Sequence, residues 1–170
     1  MKRINLFLTG IISLTVLVQI SCSSSKTAVD EGKAEKVKQQ IESLHYRVSV
    51  DYMSPAQGAS RHLTSSYSLS VQGDTLISYL PYFGKAYNIP YGGGNGLNFT
   101  ASLFDYSLSF NAKGTALISF RAHSESDVYL YNIEIFNNGN ASIRVSSNNR
   151  QGISFSGRLE EDTLTTPTKE

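Results

Sequence analysis

The sequence predicts an all-β fold with one N-terminal helix: an antiparallel meander of about eight strands, closed as a lipocalin-like barrel or bent into a strongly curved sheet, with a two-sheet sandwich as the alternative. Two observations predict it. Apolar residues recur at every second position through most of the chain, the period at which side chains share one face of a strand. Short clusters of Gly, Asn, Asp and Ser separate these segments, and tight turns pair each strand with its sequence neighbour. Composition agrees, with ten Tyr, eight Phe and thirteen Gly among 170 residues and no Trp. Aromatic residues fit a sheet's pleated surface, and glycines fit its turns.

The N-terminus reads as a targeting segment. Lys2 and Arg3 precede an apolar run over residues 4–20, which ends at Ser21-Cys22. That is the pattern of a signal peptide over residues 1–21, with a small residue before the cysteine as lipoprotein processing requires. Cys22 is then the lipidation site and the mature N-terminus. Gln19 stands where the processing motif commonly has Leu. The competing reading is an uncleaved anchor helix, but the run is barely long enough, since a bilayer core asks for about 20 apolar residues. Behind Cys22 come Ser23, Ser24, Ser25 and Lys26, with no acidic residue directly after the cysteine. The expected location is therefore the cell envelope, anchored through lipid to the outer membrane and facing the periplasm. Cys22 is the only cysteine, so the domain has no disulfide and rests on packing alone. The formal charge is +1, and losing Lys2 and Arg3 turns it slightly negative. Nucleic acid is thereby excluded as a partner on bulk charge.

Residues 22–30 are small and polar and read as a lipidated tether. One β-rich domain with its helix is expected over residues 31–159. The helix is read from Ala34, Val37, Ile41 and Leu44, which share one face at three- and four-residue spacing, with Lys33, Glu35, Lys36, Lys38 and Gln39 opposite. The period then changes to two. Tyr46, Val48, Val50 and Tyr52 alternate with polar residues, as do Tyr67, Leu69 and Val71, and Gly73-Asp74 makes a hairpin link into residues 75–80. Further strands are expected over residues 97–104, 106–110, 115–122, 128–136, 141–147 and 153–159. Residues 160–170 are polar, lack an apolar pattern and read as a disordered tail.

The segment that concentrates chemistry follows the third strand: Leu80-Pro81-Tyr82-Phe83-Gly84-Lys85-Ala86-Tyr87, then Pro90-Tyr91 and the glycine-rich residues 92–96. Tyr82, Phe83, Tyr87 and Tyr91 offer rings and phenols at a barrel mouth, so they are the candidate ligand-binding residues, together with Arg150 at the last tight turn. The bland reading is an irregular crossover whose aromatics plug one end. No Gly-Lys-Ser/Thr follows the glycines, and a strand comes next, which excludes a phosphate loop. His45, His62 and His123 lack metal-ligand spacing, so no metal and no cofactor are expected. Residues 152–157 superficially resemble a nucleophile elbow, but their spacing is wrong and strand alternation explains them. Glu134 falls in phase with Val128, Leu130 and Phe136, which predicts a carboxylate among apolar groups, paired with Arg144 or Arg121 or facing a wet cavity. No catalytic set of acid, base and nucleophile emerges, and a non-enzymatic protein is expected.

The Leu-Pro-Tyr-Phe-Gly-Lys-Ala-Tyr stretch, followed by Pro90-Tyr91-Gly92 and Gly96-Leu97-Asn98-Phe99, resembles a lipoprotein family of Bacteroidota known as domain of unknown function 4251. Asn138-Gly139-Asn140-Ala141, Val145-Ser146-Ser147 and Asn149-Arg150 leading into Ile153-Ser154-Phe155-Ser156-Gly157 look like the same family. The resemblance covers about residues 41–159. It implies the same envelope location but no activity, cofactor or catalytic residue. Two functions remain expected: a periplasmic module that binds a small apolar or amphipathic ligand, or a protein-interaction or structural component of the envelope.

Overall fold

The computed structural model describes residues 25–87, 97–124 and 127–161, with side chains from residue 31 onward. Outside this lie the expected signal peptide, Cys22, the first residues of the expected tether, Tyr91, the glycine run and residues 162–170. Helix α1 (Ser25–Glu42) is followed by β1 (His45–Pro55), β2 (Arg61–Gln72), β3 (Thr75–Leu80), β4 (Leu97–Phe110), β5 (Ala116–His123), β6 (Val128–Ile135), β7 (Asn140–Ser146) and β8 (Ile153–Leu159). The eight strands form a closed antiparallel barrel in sequence order, β8 pairing back onto β1. Closure decides between barrel and sandwich. The helix begins at Ser25, so it takes in residues that composition alone places in the tether.

Within the helix, Val37 and Ile41 are buried, and Ala34 and Leu44 are partly so, on the face that the spacing predicts. Leu44 ends it at φ +56 with its N–H on the Ile41 carbonyl, and its own carbonyl accepts from Gly73 at 2.8 Å. This left-handed residue turns the chain from helix into strand and ties the corner to the β2–β3 hairpin. Gly73, at φ +61, makes that hairpin's two-residue turn, a conformation that costs other residues about 1 kcal/mol or more.

Two bulges set which residues face inward. In β4 the residues Phe99, Ala101 and Leu103 face the interior, and after Asp105, at φ +53, so do Tyr106, Leu108 and Phe110. The extra residue reverses the phase and keeps both apolar sets inside. The sequence reading divides this stretch into two strands at that position; it is one strand whose first half pairs with β3 and whose second half pairs with β5. In β1 the irregularity between Val50 and Tyr52 has the opposite consequence for the expected pattern. Tyr52 turns outward, 49% exposed, and Met53 takes the interior position at 1%.

The interior is filled by side chains of β5 to β8. Ile118, Phe120, Tyr131, Ile133, Ile143 and Phe155 are all at most 2% exposed. Tyr106, Phe120 and Tyr131 stack in a row with centroids 6.1 and 5.1 Å apart, and Phe99 stacks on Tyr129 at 5.4 Å. Burying each such side chain contributes about 1.5–3 kcal/mol, which is where the stability of a domain without disulfides resides.

Candidate functional site

The end of the barrel opposite α1 carries the aromatic segment. After β3 the chain crosses this end and is held to the β7–β8 connection by a short ladder. Tyr87 N–H donates to the Asn149 carbonyl at 2.7 Å and Gln151 N–H to the Lys85 carbonyl at 3.0 Å. Ala86 and Arg150 form the bridge between them, and the Gln151 side chain accepts from Lys85 N–H at 3.1 Å. The Tyr82 hydroxyl shares its proton between the carbonyls of Lys85 and Gln151. Gly84 passes so close to this phenol that a Cβ there would lie 2.7 Å from its oxygen.

Against this framework Arg150 is only 9% exposed, its guanidinium carbon 5.3 Å from the Tyr82 ring centre. Among the described residues no carboxylate comes within 4 Å of it and no acceptor takes its N–H groups. The guanidinium packs one face on the ring, and its N–H groups, none of them among the buried unpartnered atoms, keep contact with solvent at the mouth. Asp127 lies at the same end. Its Oδ1 accepts from Val128 N–H at 2.8 Å and from the Asn149 amide at 3.2 Å, while its Oδ2 is buried with no hydrogen-bond partner. Burial pushes the phenols of Tyr82 and Tyr129 above the usual tyrosine value; the charge of Arg150 acts on both in the opposite direction, and that of Asp127 reinforces burial.

Of the residues singled out in the sequence, Tyr82, Tyr87 and Arg150 are therefore brought together. Phe83, 51% exposed, instead faces Arg61 of β2, whose guanidinium sits 5.0 Å from its ring. Tyr87 is 68% exposed. Tyr91 and Cys22, the expected lipidation site, lie outside the described residues. The space bounded by Tyr82, Leu97, Tyr129, Val145, Arg150 and Ile153 has no room for a water molecule. Beneath the mouth there is packing, not a bore. Asp127 and Gln151 leave no signal in the sequence beyond their position in turns flanking strands, and Asn149 is marked there only as the neighbour of Arg150.

A second concavity, an open groove of about 380 Å³, lies on the outer face of β4 to β7. Ser107, Ser119, Asn132, Glu134, Ser142 and Arg144 line it. This corrects the expectation for Glu134. Its strand buries the other phase, Tyr129, Tyr131, Ile133 and Ile135, so Val128 and Phe136 are exposed with it, and it forms no ion pair with Arg144 or Arg121. Arg121 pairs with Asp105 at 3.4 Å instead.

A family model described as Domain of unknown function (DUF4251) matches residues 28–159. The chain belongs to the DUF4251 family. A DUF4251 family protein from Bacteroides eggerthii DSM 20697, known from a crystal structure, superposes with a TM-score of 0.59 over 79% of this chain and 91% of that one. At 18% identity the likeness speaks for a shared fold. No curated protein matches the chain. Two of the stretches that resemble DUF4251 in sequence, residues 80–87 and 149–150, are the two sides of the ladder at the barrel mouth.

Proposed function

We propose that this DUF4251 protein is a non-enzymatic envelope module, anchored through Cys22 to the outer membrane on its periplasmic side, that binds an amphipathic ligand at the barrel mouth. The anionic head of the ligand meets Arg150, and its apolar part lies along Tyr82 and Tyr87. The observation that carries this reading is Arg150, 9% exposed as a residue, whose guanidinium meets a ring face but no carboxylate or acceptor among the described residues. Its planar fork matches a carboxylate or phosphate, and a charged hydrogen bond in such a place is worth about 1.5–3 kcal/mol. The packed interior argues that the ligand sits at the mouth and not within the barrel. Among the described residues no helix is long and apolar enough to cross a membrane.

Titration calorimetry of the purified chain with a medium-chain alkyl phosphate, and with the alkylammonium of equal length, tests the reading. The phosphate is expected to bind and the ammonium not to, and Arg150→Gln is expected to weaken binding at least about tenfold, the equivalent of 1.4 kcal/mol. Equal binding of both amphiphiles, or an indifferent Arg150→Gln, contradicts it. A second reading, docking of an envelope protein, is supported by the exposure of Phe83, Tyr87, Tyr79 and Tyr52, each near half or more. Photocrosslinking from position 87 in cells separates the two, since only the second captures one specific protein.

A further inference from the structure

The barrel wall is uneven. β3 is six residues long and its pairing with β4 stops at Thr75 and Ser102, with one more bond from Leu103 N–H to the Asp74 carbonyl. Beyond it β4 continues to Phe110 with β5 alone as neighbour. Asn111 N–H donates to Thr115 across the hairpin, so by alternation the backbone groups of Ser109 and Ser107 point at β5, and those of Tyr106, Leu108 and Phe110 point away from it. Among the described residues no backbone group pairs with them on that side, where the Lys38 ammonium of α1 lies 5.8 Å from the Phe110 ring centre. The same three residues stay partly exposed while the inward residues of β5 to β7 are almost wholly buried. This is an open strand edge, the feature that a closed barrel otherwise removes.

Its sequence, Tyr106-Ser107-Leu108-Ser109-Phe110, reads nearly the same in both directions. We infer that two copies of this chain pair through this edge, antiparallel and centred on Leu108. A two-fold axis there sets Leu108 against its own copy, Tyr106 against Phe110 and Ser107 against Ser109, so each residue with free backbone groups meets another. Aromatic rings pair on the inner face and hydroxyls on the outer one. No like charges meet, since Asp105 falls opposite Asn111. The self-complementary register selects a second copy over an unrelated strand, and it is independent of the ligand site at the other end.

Sedimentation equilibrium of the full chain in mild detergent tests the pairing, with the Ser107→Lys/Ser109→Lys and Ser107→Glu/Ser109→Glu variants beside it. Both serines face outward, so the variants keep the fold by circular dichroism. The wild type is expected to form a two-chain species. Each variant alone is expected to associate at least tenfold more weakly, and an equimolar mixture of the two to regain a heterodimer. Amide exchange at Tyr106, Leu108 and Phe110 in the wild type is expected to slow as concentration rises, whatever the variants do. A wild type that remains a single chain, a dimer indifferent to the lysines, a mixture that stays apart, or exchange independent of concentration overturns the inference. So does capture of another protein's strand in place of a second copy.

Discussion

Tyr131 and Tyr46 both carry a hydroxyl into the barrel, and their partners differ. Tyr131 donates to Ser78 Oγ at 3.2 Å, and Ser78 in turn donates to the Leu97 carbonyl at 2.6 Å. The Tyr46 hydroxyl is buried facing that of Tyr106 at longer than hydrogen-bond distance, and neither has another partner among the described residues. Losing the first hydroxyl breaks a satisfied chain, whereas losing the second removes a desolvated group that gains nothing. Tyr131→Phe is expected to cost about 1 kcal/mol and Tyr46→Phe to be neutral or to stabilise by up to about 1 kcal/mol, as urea denaturation would measure. The sequence shows that both tyrosines face inward, because alternation is local. It is silent on their partners, which come from strands distant in sequence. Arg150 is legible in the same partial way. Its turn is written in Asn149-Arg150, but its burial depends on Tyr82, supplied by a crossover far earlier in the chain.

At the scale of elements, alternation placed nearly every strand; it misled in β6, where the buried phase is the one that excludes Glu134, and where a bulge reverses the phase. Tyr52 is the case in β1, and the division of β4 at Asp105 is the other; an extra residue in a ladder leaves no mark in periodicity beyond the slip itself. The partner of the β1 irregularity is Gly157 in β8, opposite Val50. A Cβ there would collide with the Ser49 carbonyl, with Ser49 C at 2.8 Å and Val50 Cα at 2.9 Å. Gly157→Ala is expected to cost about 3 kcal/mol or to prevent folding, because backbone on a closed barrel cannot move aside. Gly32→Ala is the contrasting substitution. It lies in α1 with open space around its Cβ position and is expected to stabilise by about 0.5–1 kcal/mol. Thermal denaturation of the pair checks both signs.

The whole molecule has an alkaline limit that follows from its tyrosines. Burial holds the phenols of Tyr46, Tyr106, Tyr129 and Tyr131 above the usual tyrosine value, most strongly for Tyr46 and Tyr131. The unfolded chain releases those protons near pH 10, and the folded chain keeps them. Stability from these groups is therefore intact below about pH 10 and falls above it, by about 1.4 kcal/mol per pH unit for each of Tyr46 and Tyr131. Urea midpoints that stay level up to about pH 9 and then drop would agree, while midpoints unchanged through about pH 11 would not. The proposed function concerns the other end of the barrel, where an anion is proposed to meet Arg150. Native mass spectrometry of the chain purified from its own envelope, before and after denaturation, tests it most directly. The account predicts a lipid increment on Cys22 that survives denaturation, and a second, anionic increment that denaturation removes and Arg150→Gln abolishes. A wild-type chain whose native and denatured masses agree under gentle conditions would contradict it.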